Sequence, residues 1–166
     1  MNKKNKERGF TIIEIIAVLI ILGIIVTLAI SRYMSQQAYE SIPQTEMFKS
    51  HLRYAQQLSL NGDDTYRWSI QIGAGTTSYS LVNIQTVGNV VTVYGKLPGE
   101  SGSTHNFPNG VTLTGVNANQ IIGLDPLGHP GFDQWGNPGA SNITINVIEG
   151  SVTNSFTITG NTGFIQ

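Results

Sequence analysis

The chain has 166 residues, with nine Lys and Arg, ten Asp and Glu, and no cysteine. Its near-neutral charge provides no basic face that would draw nucleic acid by counterion release, and without disulfides any domain must hold itself together by its core. Charged residues make up only 11% and glycine is abundant, the look of an extracytoplasmic β-rich domain.

Residues 1–9 form a polar head that holds Lys3, Lys4, Lys6 and Arg8. The Gly9-Phe10 junction follows, then Thr11, and then the apolar run Ile12–Ile30, interrupted by one charge, Glu14. Those 19 residues, at about 1.5 Å rise each, span roughly the 30 Å of a hydrocarbon core. The cations ahead of the run place the N-terminus in the cytoplasm and the remainder outside it. A secretory signal peptide ends in small residues after its apolar stretch. Here the processing point, Gly9-Phe10, lies before it, so a cut there retains the helix. An ordinary signal peptide cut near Ala29-Ile30-Ser31 is the rival reading, against which stand the length of the run and the carboxylate inside it. A carboxylate in a bilayer-spanning helix is costly and usually marks function. The alternative for Glu14 is a position near the interface, where it reaches water. Gly23 is either a point of close helix approach or a place where the helix loosens.

Gly9, Phe10 and Glu14, joined to a charged leader and a long apolar helix, resemble the N-terminus of type IV prepilins and of the pseudopilins of type II secretion. The resemblance implies cleavage between Gly9 and Phe10 by a prepilin peptidase, N-methylation of Phe10, and an assembly role for Glu14. In a filament the carboxylate would meet the free amine of a neighbour's Phe10, pairing two charges that are costly apart. Pilins often carry a helix-breaking proline where this chain has Ser31.

Residues 32–60 read as a continuing helix in which Phe48, Leu52, Ala55 and Leu58 recur at helical spacing. That stripe is suited to packing on a sheet, with Glu46, Lys49 and Arg53 facing solvent. Pro43 is expected to kink or start a helical piece. Asn61-Gly62 is expected to end the helix in the left-handed conformation. Short strands follow. In 66–72, Tyr66, Trp68, Ile70 and Ile72 alternate with polar residues. Gly73-Ala74-Gly75 reads as a turn, and Gly88-Asn89 as a hairpin signal between strands 79–84 and 90–94. Residues 96–109 read as a loop. Further strands are expected at 111–113, 121–124, 143–148, 156–158 and 164–165. Asn142-Ile143-Thr144 fits a glycosylation acceptor and is read as strand sequence.

The order of these elements resembles H-type minor pseudopilins and related minor pilins. The Pro108-Asn109-Gly110-Val111-Thr112-Leu113, Asp125-Pro126-Leu127-Gly128 and Thr162-Gly163-Phe164-Ile165 segments look like the closing pattern of that group.

His51, His105 and His129 have no metal-ligand spacing, and no nucleophile elbow or phosphate loop is present. No catalysis and no cofactor are expected. Asp125, Asp133 and Asn137 are weak calcium candidates, since calcium takes several oxygen ligands. The stronger reading is a set of turns opened by Asp-Pro and Asn-Pro. Trp135, in the same loop, is either a contact with a neighbouring subunit or a plug over the sheet.

The expected fold is α+β and pilin-like: a long N-terminal, partly transmembrane helix packed on a single antiparallel β-sheet domain. The expected division is a cleaved leader over 1–9, a helix over 10–60 that spans the membrane over 10–31, and an extracytoplasmic β domain over 61–166. The expected function is a minor pseudopilin of a type II secretion pseudopilus. The alternatives are a minor pilin of a type IV pilus or a tip-displayed binding module. Expected partners are other pilin or pseudopilin subunits, the prepilin peptidase and an inner-membrane assembly platform. The expected location is the bacterial inner membrane, with the C-terminal domain periplasmic.

Overall fold

The computed structural model describes residues 11–37, 40–62, 65–85, 87–93, 95–125, 127–131 and 141–166, without the side chains of 31–37. The chain divides into two compact units, Met1–Gln37 and Ala38–Gln166. In the first, helix α1 spans Ile12–Gln37. Leu and Ala favour a helix while the β-branched Ile and Val favour it less, and Gly23 leaves it continuous.

The second unit opens with helix α2, Ser41–Leu60. The single helix expected over 32–60 is therefore the end of α1 and the whole of α2. Pro43 lies in the first turn of α2, where its missing N–H removes no intrahelical bond. Glu40, at the cap position, makes no side-chain cap bond. The carboxylate comes from far along the chain instead. Ser41 N donates to Oε2 of Glu149 at 2.9 Å, and Asn154 Nδ2 donates to Ser41 Oγ at 2.9 Å. Glu149 thus sets a negative charge at the positive end of the helix. At the other end Asn61 stays right-handed, with φ −96°. The left-handed ending is therefore not adopted: Asn61 closes the helix through its backbone N and its Nδ2, both donating to the Gln57 carbonyl.

The antiparallel β domain is split into two sheets. Strands β1 (Tyr66–Ile72), β2 (Ser78–Gln85), β3 (Val90–Val93), β4 (Thr104–Asn106), β6 (Ile121–Leu124) and β7 (Pro130–Gly131) form one, in the order β3-β2-β1-β6-β7. Strand β4 also pairs with β2, beyond the reach of β3. Strands β5 (Val111–Thr114), β8 (Ile143–Glu149) and β9 (Val152–Ile158) form the other, in the order β5-β8-β9. Gly88 and Asn89 take positive φ, 85° and 52°, in the β2–β3 connection, as a hairpin there requires. Two expectations are corrected. The 96–109 segment contains β4, which three residues suffice to form because β2 offers a free edge. The tail at 164–165 makes only an isolated bridge, Ile158 to Ile165.

The expected α2 stripe packs as read: Phe48, Leu52 and Ala55 are fully buried. They meet Ile70 and Ile72 of β1 and Tyr79 and Leu81 of β2 on one side. On the other they meet Ile145 and Val147 of β8 and Phe156 and Ile158 of β9. The Phe48 ring lies 4.5 Å from that of Tyr79 and 5.7 Å from that of Phe156. One side chain therefore touches both sheets.

Replacing Phe48 with Ala should cost about 3–5 kcal/mol of folding stability, because a truncated ring leaves an unfilled cavity between the two sheets. Denaturant unfolding of the full chain in detergent measures it. A loss below about 1 kcal/mol would mean that the sheets do not depend on this contact.

Candidate functional site in the first helix

Helix α1 is apolar on every side over Ile12–Ile30, and its side chains there are exposed within the chain. A helix that is hydrophobic all round needs a nonaqueous surrounding, either lipid or other protein. Its length suffices to cross a membrane. Thr27 Oγ1 donates to the carbonyls of Gly23 and Ile24, so its hydroxyl is satisfied within the helix. A Cβ placed on Gly23 would meet nothing within 4 Å. The surface there is open to a close neighbour.

Glu14 sits in the first turn of this helix. Thr11 N donates to Glu14 Oε2 at 3.4 Å, and Glu14 N donates to Thr11 Oγ1 at 3.4 Å. This reciprocal pair is a capping box, which satisfies two of the donors a helix start leaves open. The Thr-x-x-Glu spacing carried that signal in the sequence, and reading Glu14 only as a membrane charge missed it. Gly9 and Phe10 lie outside the described residues.

The other candidate residues fall in the second unit. Asp125 organises a tight turn: its Oδ1 accepts from Leu127 N at 2.9 Å and His129 N at 2.7 Å, and its Oδ2 meets His129 Nδ1 at 3.0 Å. Both oxygens serve the turn, in line with the Asp-Pro reading. Asp133, Asn137 and Trp135 lie outside the described residues. Among the described residues no group of three or more His, Cys, Asp or Glu is arranged to hold a metal.

His51 and His105 are far apart in sequence, and the fold brings them to 6.1 Å between rings, at the buried edge of α2. His51 Nε2 lies 2.9 Å from the Pro98 carbonyl and its Nδ1 2.7 Å from Tyr79 Oη. A carbonyl only accepts, so Nε2 carries the proton and Nδ1 accepts from the tyrosine. Burial first, and the Glu100 charge second, push the Tyr79 hydroxyl well up, so it remains a donor. His105 Nδ1 lies 2.6 Å from Glu100 Oε1, and its Nε2 2.9 Å from Gln44 Oε1. The cluster ties the 96–109 segment to α2. These are structural histidines, each with both ring nitrogens occupied.

Residues 4–30 match the family model described as Prokaryotic N-terminal methylation motif. The chain carries the N-terminus of a type IV pilin-like protein. The match covers the basic head and the apolar helix, ending before α2. No curated protein and no solved structure matches the chain.

Burial, opposed by the Pro98 hydrogen bond, holds His51 below its ordinary value, with His105 lowering it further and Glu100 raising it. The folded domain therefore favours the neutral ring, and the unfolded chain binds the extra proton first. Stability should fall as pH drops below about 6.5, by up to about 1.4 kcal/mol per unit. Glutamine at position 51 keeps one acceptor and one donor and does not titrate. The expected outcome is a flatter dependence in H51Q than in the native chain, read from thermal midpoints between about pH 7.5 and about pH 5.5. Equal slopes would show that His51 does not govern this range.

Proposed function

We propose that the chain is a minor subunit of a pseudopilus or pilus, made as a precursor, cut between Gly9 and Phe10 and methylated at Phe10. The carrying observation is the methylation motif over residues 4–30 with a single carboxylate, Glu14, in its apolar helix. The leader is 1–9, the N-terminal helical stretch 10–60 with 10–31 in the membrane, and the β domain 61–166. The leader cations favour a cytoplasmic N-terminus and a periplasmic β domain.

The subunit works by packing and register, with no reaction of its own. In the membrane Glu14 is held by Thr11 at the helix start. In the filament its charge pairs with the amine of a neighbouring Phe10, which draws the subunit out of the bilayer and fixes its axial position. The peptidase, the assembly platform and the other subunits are its partners. Within this class the tail segments at 108–113, 125–128 and 162–165 favour the H-type minor pseudopilins of type II secretion. A minor pilin of a type IV pilus shares the same N-terminal chemistry and is the second reading. Deleting the gene separates them: lost export of enzymes with normal pili supports the first, and altered pili with normal export the second.

Two substitutions separate the charge of Glu14 from its capping role. Glutamine can serve in a capping box but carries no charge, whereas alanine removes both. We expect E14Q to insert and be processed normally yet to drop out of sheared filaments by about tenfold or more, as E14A does, since a lost charge pair of this kind is worth more than about 1.4 kcal/mol. Normal incorporation of E14Q would leave Glu14 with capping alone.

A further inference from the structure

Arg53, Gln56 and Leu60 lie along one side of α2, beside its buried stripe. Two turns from the far part of the chain meet there. Gln56 Nε2 donates to the carbonyl of Gly128, in the Asp125 turn, and to that of Gly163, in the turn after β9. Gly163 has φ 64°, and a Cβ on it would clash with the Gly128 carbonyl, so the two turns touch backbone to backbone. A Cβ on Gly128 would meet Leu60. The residues that neighbour these glycines are thereby set side by side. Leu127 is 70% exposed, Phe164 62% and Leu60 56%. Together with Arg53 they line an open hollow of about 460 Å³.

The Phe164 ring is not what anchors the tail. Ile165 is buried, Thr159 N donates to the Phe164 carbonyl, and Gln166 N donates to the Thr157 carbonyl. Exposed apolar side chains gathered within a polar rim mark protein contacts, and Phe and Arg are enriched at them. One Nη of Arg53 donates to the Ile165 carbonyl at 3.3 Å. Among the described residues Arg53 enters no ion pair, and a guanidinium has further N–H donors to offer.

This composition restricts the occupant. The apolar side chains call for an apolar one, and the guanidinium at the rim calls for a carboxylate. A membrane surface or a nucleic acid is held by clusters of Lys and Arg. The second unit has only Lys49, Arg53, Arg67 and Lys96 in its sequence, and of these the hollow has Arg53. A small polar ligand needs converging donors, and the Gln56 amide is already spent on two carbonyls. A protein segment meets both requirements.

We propose that this hollow is the docking site for a neighbouring filament subunit, which lays an apolar side chain against Leu60, Leu127 and Phe164 and brings an adjacent carboxylate to Arg53. The surface stands on the second unit alone; that its occupant is a filament subunit rests on the pilin-like reading above.

The test uses the full chain in cells, with the photo-cross-linker benzoylphenylalanine placed at position 127 or 164. Filaments are sheared off after irradiation and the adducts identified by mass spectrometry. The expected adduct joins the chain to another subunit with a prepilin-type N-terminus, through a peptide in which Asp or Glu adjoins an apolar residue. R53E should lower its yield about tenfold, because it sets like charges against each other. Replacing the identified carboxylate of the partner with Lys should then restore it, which a merely structural role of Arg53 would not allow. If the filaments contain the chain but no adduct forms, or it forms only with lipid or an exported protein, the docking site is overturned. A yield indifferent to R53E, or not restored by the charge exchange, overturns it as well. Absence of the chain from filaments refutes the filament reading itself, and this proposal with it.

Discussion

The buried stripe of α2 is the constraint on which the β domain depends. Phe48, Leu52 and Ala55 present one apolar line, and two separate sheets close on it. Neither sheet has another helix among the described residues to cover its inner face, and the second has only three strands. A small sheet with one bare apolar face is not stable alone. Burying both faces on one helix solves the problem for both. It also explains why the helix start is capped from the far end of the chain: Glu149 and Asn154 belong to the β8–β9 hairpin, so docking that hairpin and satisfying the first turn of α2 are one event.

The first helix obeys a different constraint. It is apolar all round over Ile12–Ile30, so its stability depends on nonaqueous surroundings. A single carboxylate is tolerated there because it lies in the first turn. There it faces the positive end of the helix dipole and binds Thr11 N. Capping is a sufficient reason for Glu14 to sit where it does in an isolated chain. It does not account for choosing a charged residue over glutamine, which is where an assembly role enters.

Much of this was legible in the sequence. Strand β1 was delimited at its ends, 66 and 72, by strict alternation between a Gly-ended helix and a Gly-rich turn. The stripe on α2 followed from spacing alone. The break between the two sheets was not legible, because alternation reports that a strand has an inner face without naming the sheet it joins. Strand β4 hid among Gly, Pro and Ser residues. Its three residues are held by the edge of β2, a long-range term that no local pattern carries. Asn61 was read as left-handed from residue type, yet its side chain bonds Gln57 and keeps the helical conformation. At the first helix the motif was read and its capping geometry was not. The Thr11–Glu14 spacing is a common capping signal, outweighed in the sequence by the rarer feature, a charge in a hydrocarbon stretch. The three histidines showed no ligand spacing in sequence, and the fold pairs two of them inside the domain as hydrogen-bonding core residues.

The central claim is that the apolar helix belongs to the mature protein, whose first residue is Phe10. Intact-mass and N-terminal sequencing of the protein recovered from membranes tests it most directly. The account predicts a chain that starts at Phe10 and carries one methyl group on its amine. A chain starting near Ser31, or one retaining residues 1–9, would contradict it: the first would make the helix a discarded signal, and the second would leave no free Phe10 amine for Glu14 to meet.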